Sequence, residues 1–109
     1  MSKENSVPAI TLWLPEPDIV THQALGKAAE EASELSKIAA RCMIQGLDAS
    51  DPKSGIANRQ ALADELADME AVIGWITDLL KIDIETHNAR ADRKYTGFAE
   101  WQKMLEAHP

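Results

Sequence analysis

Glu65-Leu66-Ala67-Asp68-Met69-Glu70-Ala71-Val72-Ile73-Gly74-Trp75-Ile76 is the stretch that decides the fold. Around it, Leu62, Leu66, Met69, Ile73, Ile76 and Leu80 recur at alternating steps of four and three. That is the spacing of a helical bundle seam, and a strand would need steps of two. A helix is predicted from about Arg59 to Lys81, with Asn58 as its N-cap. On a wheel of about 100° per residue, Glu65 falls among Met69, Val72 and Ile76, inside the apolar face. Asp68 falls at the edge of that face, and Asp64 and Glu70 point elsewhere. A carboxylate on an apolar face is costly unless it is paired or holds a metal.

A second acidic run lies upstream, Glu30-Glu31-Ala32-Ser33-Glu34. It sits in a segment whose stripe of Ala24, Ala28, Ala32, Leu35, Ala39 and Cys42 also predicts a helix, from about Asp18 to Gln45. Asp18 after Pro17 reads as its N-cap and Gly46 as its C-cap. Glu31 lands on the shoulder of the apolar stripe, Glu34 just outside it, and Glu30 further toward solvent. Cys42 reads as a small core residue.

Leu47 to Ala57, rich in Asp, Ser, Pro and Gly, reads as a linker bordering the acids. A third helix is predicted from Ile84, capped by Asp83, through Lys94. Gly97 is predicted to interrupt it, with Thr96 capping a short fourth helix from Phe98 to about Glu106. Residues 1–17 read as an irregular arm, because Pro8, Pro15 and Pro17 prevent a helix. The expectation is therefore an all-α bundle of three long or medium helices and a short C-terminal one. Residues 18–109 form its single domain.

Composition narrows the function. The chain has 109 residues, 45% hydrophobic content, 5% aromatic content and a net charge of −7. Few aromatics with abundant Ala and Leu suit helices. The acidic balance offers no basic surface for a nucleic-acid polymer. It leaves room for a single nucleotide, whose phosphates a metal and a few local cations can meet. A domain of this size gains from subunit association. One cysteine forms no intrachain disulfide, Met1 to Ser6 is too polar for a secretory signal, and no apolar run reaches membrane-spanning length. These features together predict a cytoplasmic protein.

Two helices bearing E-x-x-E and E-x-x-D bring four carboxylates toward one cleft. Without a cation they repel one another and partly protonate; with Mg²⁺, or Mn²⁺ in its place, they form an oxygen site that shares its shell with phosphates. Lys37, Arg90, Arg93 and Lys94 are the candidate phosphate-binding cations, with Asn88 as a neutral donor. Trp13, His22 and Trp75 are candidate contacts for a base. Each has an ordinary alternative: Trp13 as the anchor of the arm, Trp75 in subunit packing, His22 as a partly exposed helix histidine, and Arg90, Arg93 and Lys94 as a solvated face. His87 reads as another such histidine, and no paired His or Cys spacing suggests zinc.

The combined pattern, with the run from His22 through Leu35 and the stretch Asp64-Glu65-Leu66-Ala67-Asp68, resembles the E-E-x-x-E … E-x-x-D signature of the MazG-like all-α nucleoside triphosphate pyrophosphohydrolases. The resemblance covers roughly residues 20 to 95, and the interval 35–64 between its halves is on the long side for that family. It implies that Glu31, Glu34, Glu65 and Asp68 bind Mg²⁺ and form the catalytic set, with Glu34 as a general base acting through a water. It implies a nucleoside or deoxynucleoside triphosphate substrate cleaved to the monophosphate and pyrophosphate, in house-cleaning or pool control. It also implies a dimeric or tetrameric helical bundle. A related dUTPase or phosphoribosyl-ATP pyrophosphohydrolase is the nearest enzymatic alternative. A non-catalytic helical dimer that binds a protein is the alternative of another class.

Overall fold

A computed structural model describes residues 9–108, and every helix in it belongs to an α-class fold. α1 spans Ile19–Gln45, α2 spans Asn58–Leu79 and α3 spans Ile84–Glu106. The only extended pairing among the described residues is an isolated bridge between Ser50 and Ala57. Residues 9–17 are irregular, as their prolines require; the remainder of the expected arm, residues 1–8, lies outside the described residues. No described helix is long and apolar enough to cross a membrane.

α1 starts where Asp18 accepts the Thr21 backbone N–H at 2.9 Å, which satisfies one orphan donor of the first turn. It ends at Gly46, whose φ of 90° suits glycine and whose N–H reaches the Cys42 carbonyl at 2.9 Å. Asp83 opens α3 in the same way, accepting from Thr86 N–H at 3.0 Å.

Asn58 departs from its expected role as N-cap. Ala57 holds that position, and Asn58 is the first helical residue, fully buried. Its Nδ2 donates to the Gly46 carbonyl at 3.0 Å and to Gln45 Oε1 at 3.2 Å. Its backbone N–H meets the Ala49 carbonyl at 2.8 Å, and its own carbonyl accepts from Cys42 Sγ at 3.7 Å. The start of α2 is thereby stitched to the end of α1. The loop between them is closed further by Arg59 N–H to the Leu47 carbonyl at 2.9 Å and Asp51 N–H to the Ile56 carbonyl at 3.0 Å. A linker that reads as open in sequence is thus a hydrogen-bonded turn that fixes the α1–α2 hairpin.

Ala24, Ile38 and Val72 are the buried apolar residues of that hairpin. Of the expected α2 seam, Leu62, Met69 and Ile76 are half-buried within the chain. Leu66, Ile73 and Leu80 stay about half exposed, because the face turned to α1 carries Val72, Ala61 and Glu65.

α3 corrects the expected break at Gly97. It runs unbroken from Ile84 to Glu106, so there is no separate fourth helix. One helical glycine costs only about 1 kcal/mol, too little by itself to end a helix. α3 buries none of its residues. Phe98 and Trp101 remain 63% and 59% exposed, and Tyr95, Met104 and Leu105 are exposed beside them. The radius of gyration is 20.3 Å, against about 13 Å for a compact chain near this length. α3 therefore extends away from the hairpin instead of closing a core.

Candidate metal centre

The antiparallel hairpin brings the two acidic signatures face to face. One carboxylate oxygen from each of Glu31, Glu65 and Asp68 lies within 4.8 Å of the others. Glu31 and Glu65 are half-buried, whereas Asp68 is exposed. Helical spacing accounts for the grouping. Glu65 and Asp68 are one turn apart on α2, and Glu31 faces them from α1.

Glu65 is the strained member. Its Oε2 is buried and has no hydrogen-bond partner among the described residues. Loss of hydration pushes its carboxyl above the usual glutamate range, and the neighbouring charges of Asp68, Glu31, Glu34 and Asp64 push it further. A buried acceptor without a donor, ringed by carboxylates, fits a hard divalent cation: all the available donors are oxygens.

Glu34 stands beside this trio. It lines a cleft of about 150 Å³ with Lys37, Ile38, Arg41, Ala61 and Glu65. Glu30 takes no part: it pairs with Lys27 at 2.8 Å on the exposed side of α1. Asp64 accepts from Gln60 Nε2 at 2.8 Å. Glu30 thus faces outward, whereas Asp64, outside the trio and bonded to Gln60, still borders the hollow beside Glu65.

The other sequence candidates divide. Trp75 shares a wide cleft of about 500 Å³ with Glu31, Asp68, Lys27 and Val72, so an aromatic ring borders the acids at one end. Lys37 lines the cleft beside Glu34 and Glu65. Trp13 does not anchor the arm: it is 98% exposed, and with Leu14, Pro15 and His22 it borders a separate hollow. Arg90 and Lys94 line a hollow with Ile82, Thr86 and His87 that contains none of the four acids. Asn88 and Arg93 are exposed on the same helix. Within one chain, then, α3 does not deliver its cations to the carboxylates.

Arg41 is the residue that sequence reading missed. It lines the Glu34–Glu65 cleft and also the adjoining hollow of about 260 Å³ with Asp51, Ser54, Ile56, Asp64 and Glu65. It is half-buried and makes no ion pair among the described residues. The signal was present as the spacing Glu34, Lys37, Ile38, Arg41, one helix face over two turns.

No protein-family model, curated protein or solved structure matches the chain.

Proposed function

We propose that the chain is a Mg²⁺-dependent nucleoside triphosphate pyrophosphohydrolase of the MazG-like type, working in the cytoplasm as a homo-oligomer. The observation that carries this reading is the convergence of Glu31, Glu65 and Asp68 around a buried, unpartnered Glu65 oxygen. Acids that served only as a solvated helix face would point outward, as Glu30 does. The signature resemblance supplies the reaction, and the geometry supports the ligand set.

Glu31, Glu65 and Asp68 would hold the cation, with Glu34 adjacent. A bound divalent cation supplies positive charge to a polyphosphate and favours ionisation of a nearby water. The residues of the chain do the rest. Glu34 accepts the proton of the attacking water at its carboxylate, water oxygen bonds to the α-phosphorus, and the bond to the bridging oxygen breaks to release pyrophosphate. Lys37 offsets charge on the phosphates. Trp75 offers a face on which a base stacks.

Oligomerisation is supported by the exposed α3 face and by the half-exposed Leu66, Ile73 and Leu80. A second copy that covers them would give the fold the core that one chain lacks. The same exposed faces favour the helical-dimer reading in which the chain binds a protein and has no catalytic activity. Product analysis separates the two. Incubation with a panel of NTPs and dNTPs and Mg²⁺ is expected to yield monophosphate and pyrophosphate from at least one nucleotide. No product from any of them, with no Mg²⁺-induced rise in thermal stability, would rule the hydrolase out.

A further inference from the structure

We infer that Arg41 holds the terminal phosphates of the substrate, so that the nucleotide lies in one direction along the α1–α2 groove. Its phosphates point toward the loop 46–57 and its ring toward Trp75. This rests on the hydrolase reading above and adds to it the orientation of the ligand and the residue that sets it.

The groove is asymmetric about the acidic cluster. On α1, Arg41 lies seven residues beyond Glu34, which at 1.5 Å per residue is about 10 Å along the axis. On the antiparallel α2, Trp75 lies seven residues beyond Asp68, about the same distance in the opposite sense. One flank therefore offers an aromatic face, and the other a guanidinium one turn beyond the Lys37 ammonium. A nucleoside triphosphate has the same order of parts: ring, reacting phosphate, terminal phosphates.

Two further features mark Arg41 as a ligand contact. It is half-buried between two hollows that both include Glu65, and it has no ion-pair partner among the described residues. Asp51 shares the second hollow with Arg41 but forms no ion pair with it among the described residues; its carboxylate accepts the Ser54 N–H at 2.8 Å, and that bond, with a smaller contribution from the Arg41 charge, holds its carboxyl below the usual aspartate range. A planar guanidinium with unspent donors suits bidentate contact with phosphate oxygens better than an ammonium would.

The test measures inorganic pyrophosphate binding to the full chain in Mg²⁺ by calorimetry, alongside KM for a nucleotide panel. Arg41→Met is expected to weaken pyrophosphate binding at least about tenfold, the loss of one charge-assisted contact. It should raise KM by a similar factor for every base, and Arg41→Lys should recover part of the loss. Trp75→Ala should alter the ranking of bases and leave pyrophosphate binding within about twofold. Arg41→Gln, which keeps the stem, gives a second variant if the Met form melts early. Wild type that binds pyrophosphate with Arg41→Met or Arg41→Gln binding it equally overturns the Arg41 assignment alone. A change of base ranking in the Arg41 variants, with pyrophosphate binding intact, reverses the orientation and overturns it too. Wild type that neither binds nor releases pyrophosphate overturns the hydrolase reading, and the assignment with it.

Discussion

Glu31 of α1 and Glu65 of α2 each place a carboxylate oxygen within 4.8 Å of the other, with Asp68 completing the group. Loss of hydration, and then like charges this close, raise the proton affinity of Glu65. The folded chain therefore binds more protons than the unfolded chain between the ordinary glutamate pKa and the raised one. Across that window stability falls as pH rises, and the penalty is complete once pH passes the raised value. Urea midpoints measured from about pH 4 to 8 should show this decline in metal-free protein. The decline should shrink in Glu65→Gln and in saturating Mg²⁺. An unchanged slope in Glu65→Gln would place the strain elsewhere.

Metal binding must compete with the same protons. Mg²⁺ affinity is expected to fall as pH drops through the raised Glu65 value, because the ligand must be ionised. Calorimetric titrations at several pH values check this, with proton release on binding as the companion observation. Pyrophosphate release should follow the affinity curve at limiting Mg²⁺.

Asn58 predicts a large stability effect far from any chemistry. Asn58→Ala removes two hydrogen bonds made by a fully buried side chain, along with its buried, unpartnered Oδ1. The expected loss is about 2–3 kcal/mol in chemical denaturation. Asn58→Asp should cost more, since it sets a buried carboxylate against two acceptors. A loss below about 0.5 kcal/mol for the Ala variant would mean that the stitch between α1 and α2 contributes little.

Between α2 and α3, Lys81 adopts φ 54°. Ile82 N–H closes the turn on the Thr77 carbonyl at 3.0 Å, the 6→1 bond of a Schellman cap. Glycine takes this conformation without a Cβ clash, so Lys81→Gly should stabilise the fold by about 0.5–1 kcal/mol. A lower melting temperature in the variant would contradict that.

Phe98, Trp101 and Leu105 test the oligomer. Sedimentation of the wild type should give a mass of two or four chains. Phe98→Glu with Trp101→Glu should shift it toward smaller, less helical species. Wild type sedimenting as a stable single chain would leave the exposed α3 face for another partner.

Much of this was legible in residues with local causes. Asp18, Gly46 and Asp83 act as caps because capping depends on neighbours within a turn. The acids Glu31, Glu65 and Asp68 were separable from Glu30 and Asp64 because the helix wheel is itself local. Where the sequence reading failed, the cause was tertiary or marginal. Asn58 has the chemistry of a cap, yet the end of α1 is near enough to claim its amide. Gly97 costs too little to break a helix. The direction of α3 depends on the turn at Lys81, so the sequence could not say that Arg90 and Lys94 end up away from the acids. Arg41 was overlooked because it lies two turns from the signature, on a face whose partner is set by the hairpin.

The most direct test of the central claim is single-turnover release of pyrophosphate from the best nucleotide, with Mg²⁺ and with chelator, in wild type and Glu65→Gln. The variant should keep the wild-type fold, melt no lower without metal, and lose Mg²⁺ stabilisation together with at least about a hundredfold in rate. Equal rates in the two proteins, or equal rates with and without Mg²⁺, would contradict the assignment of Glu31, Glu65 and Asp68 as a catalytic metal centre.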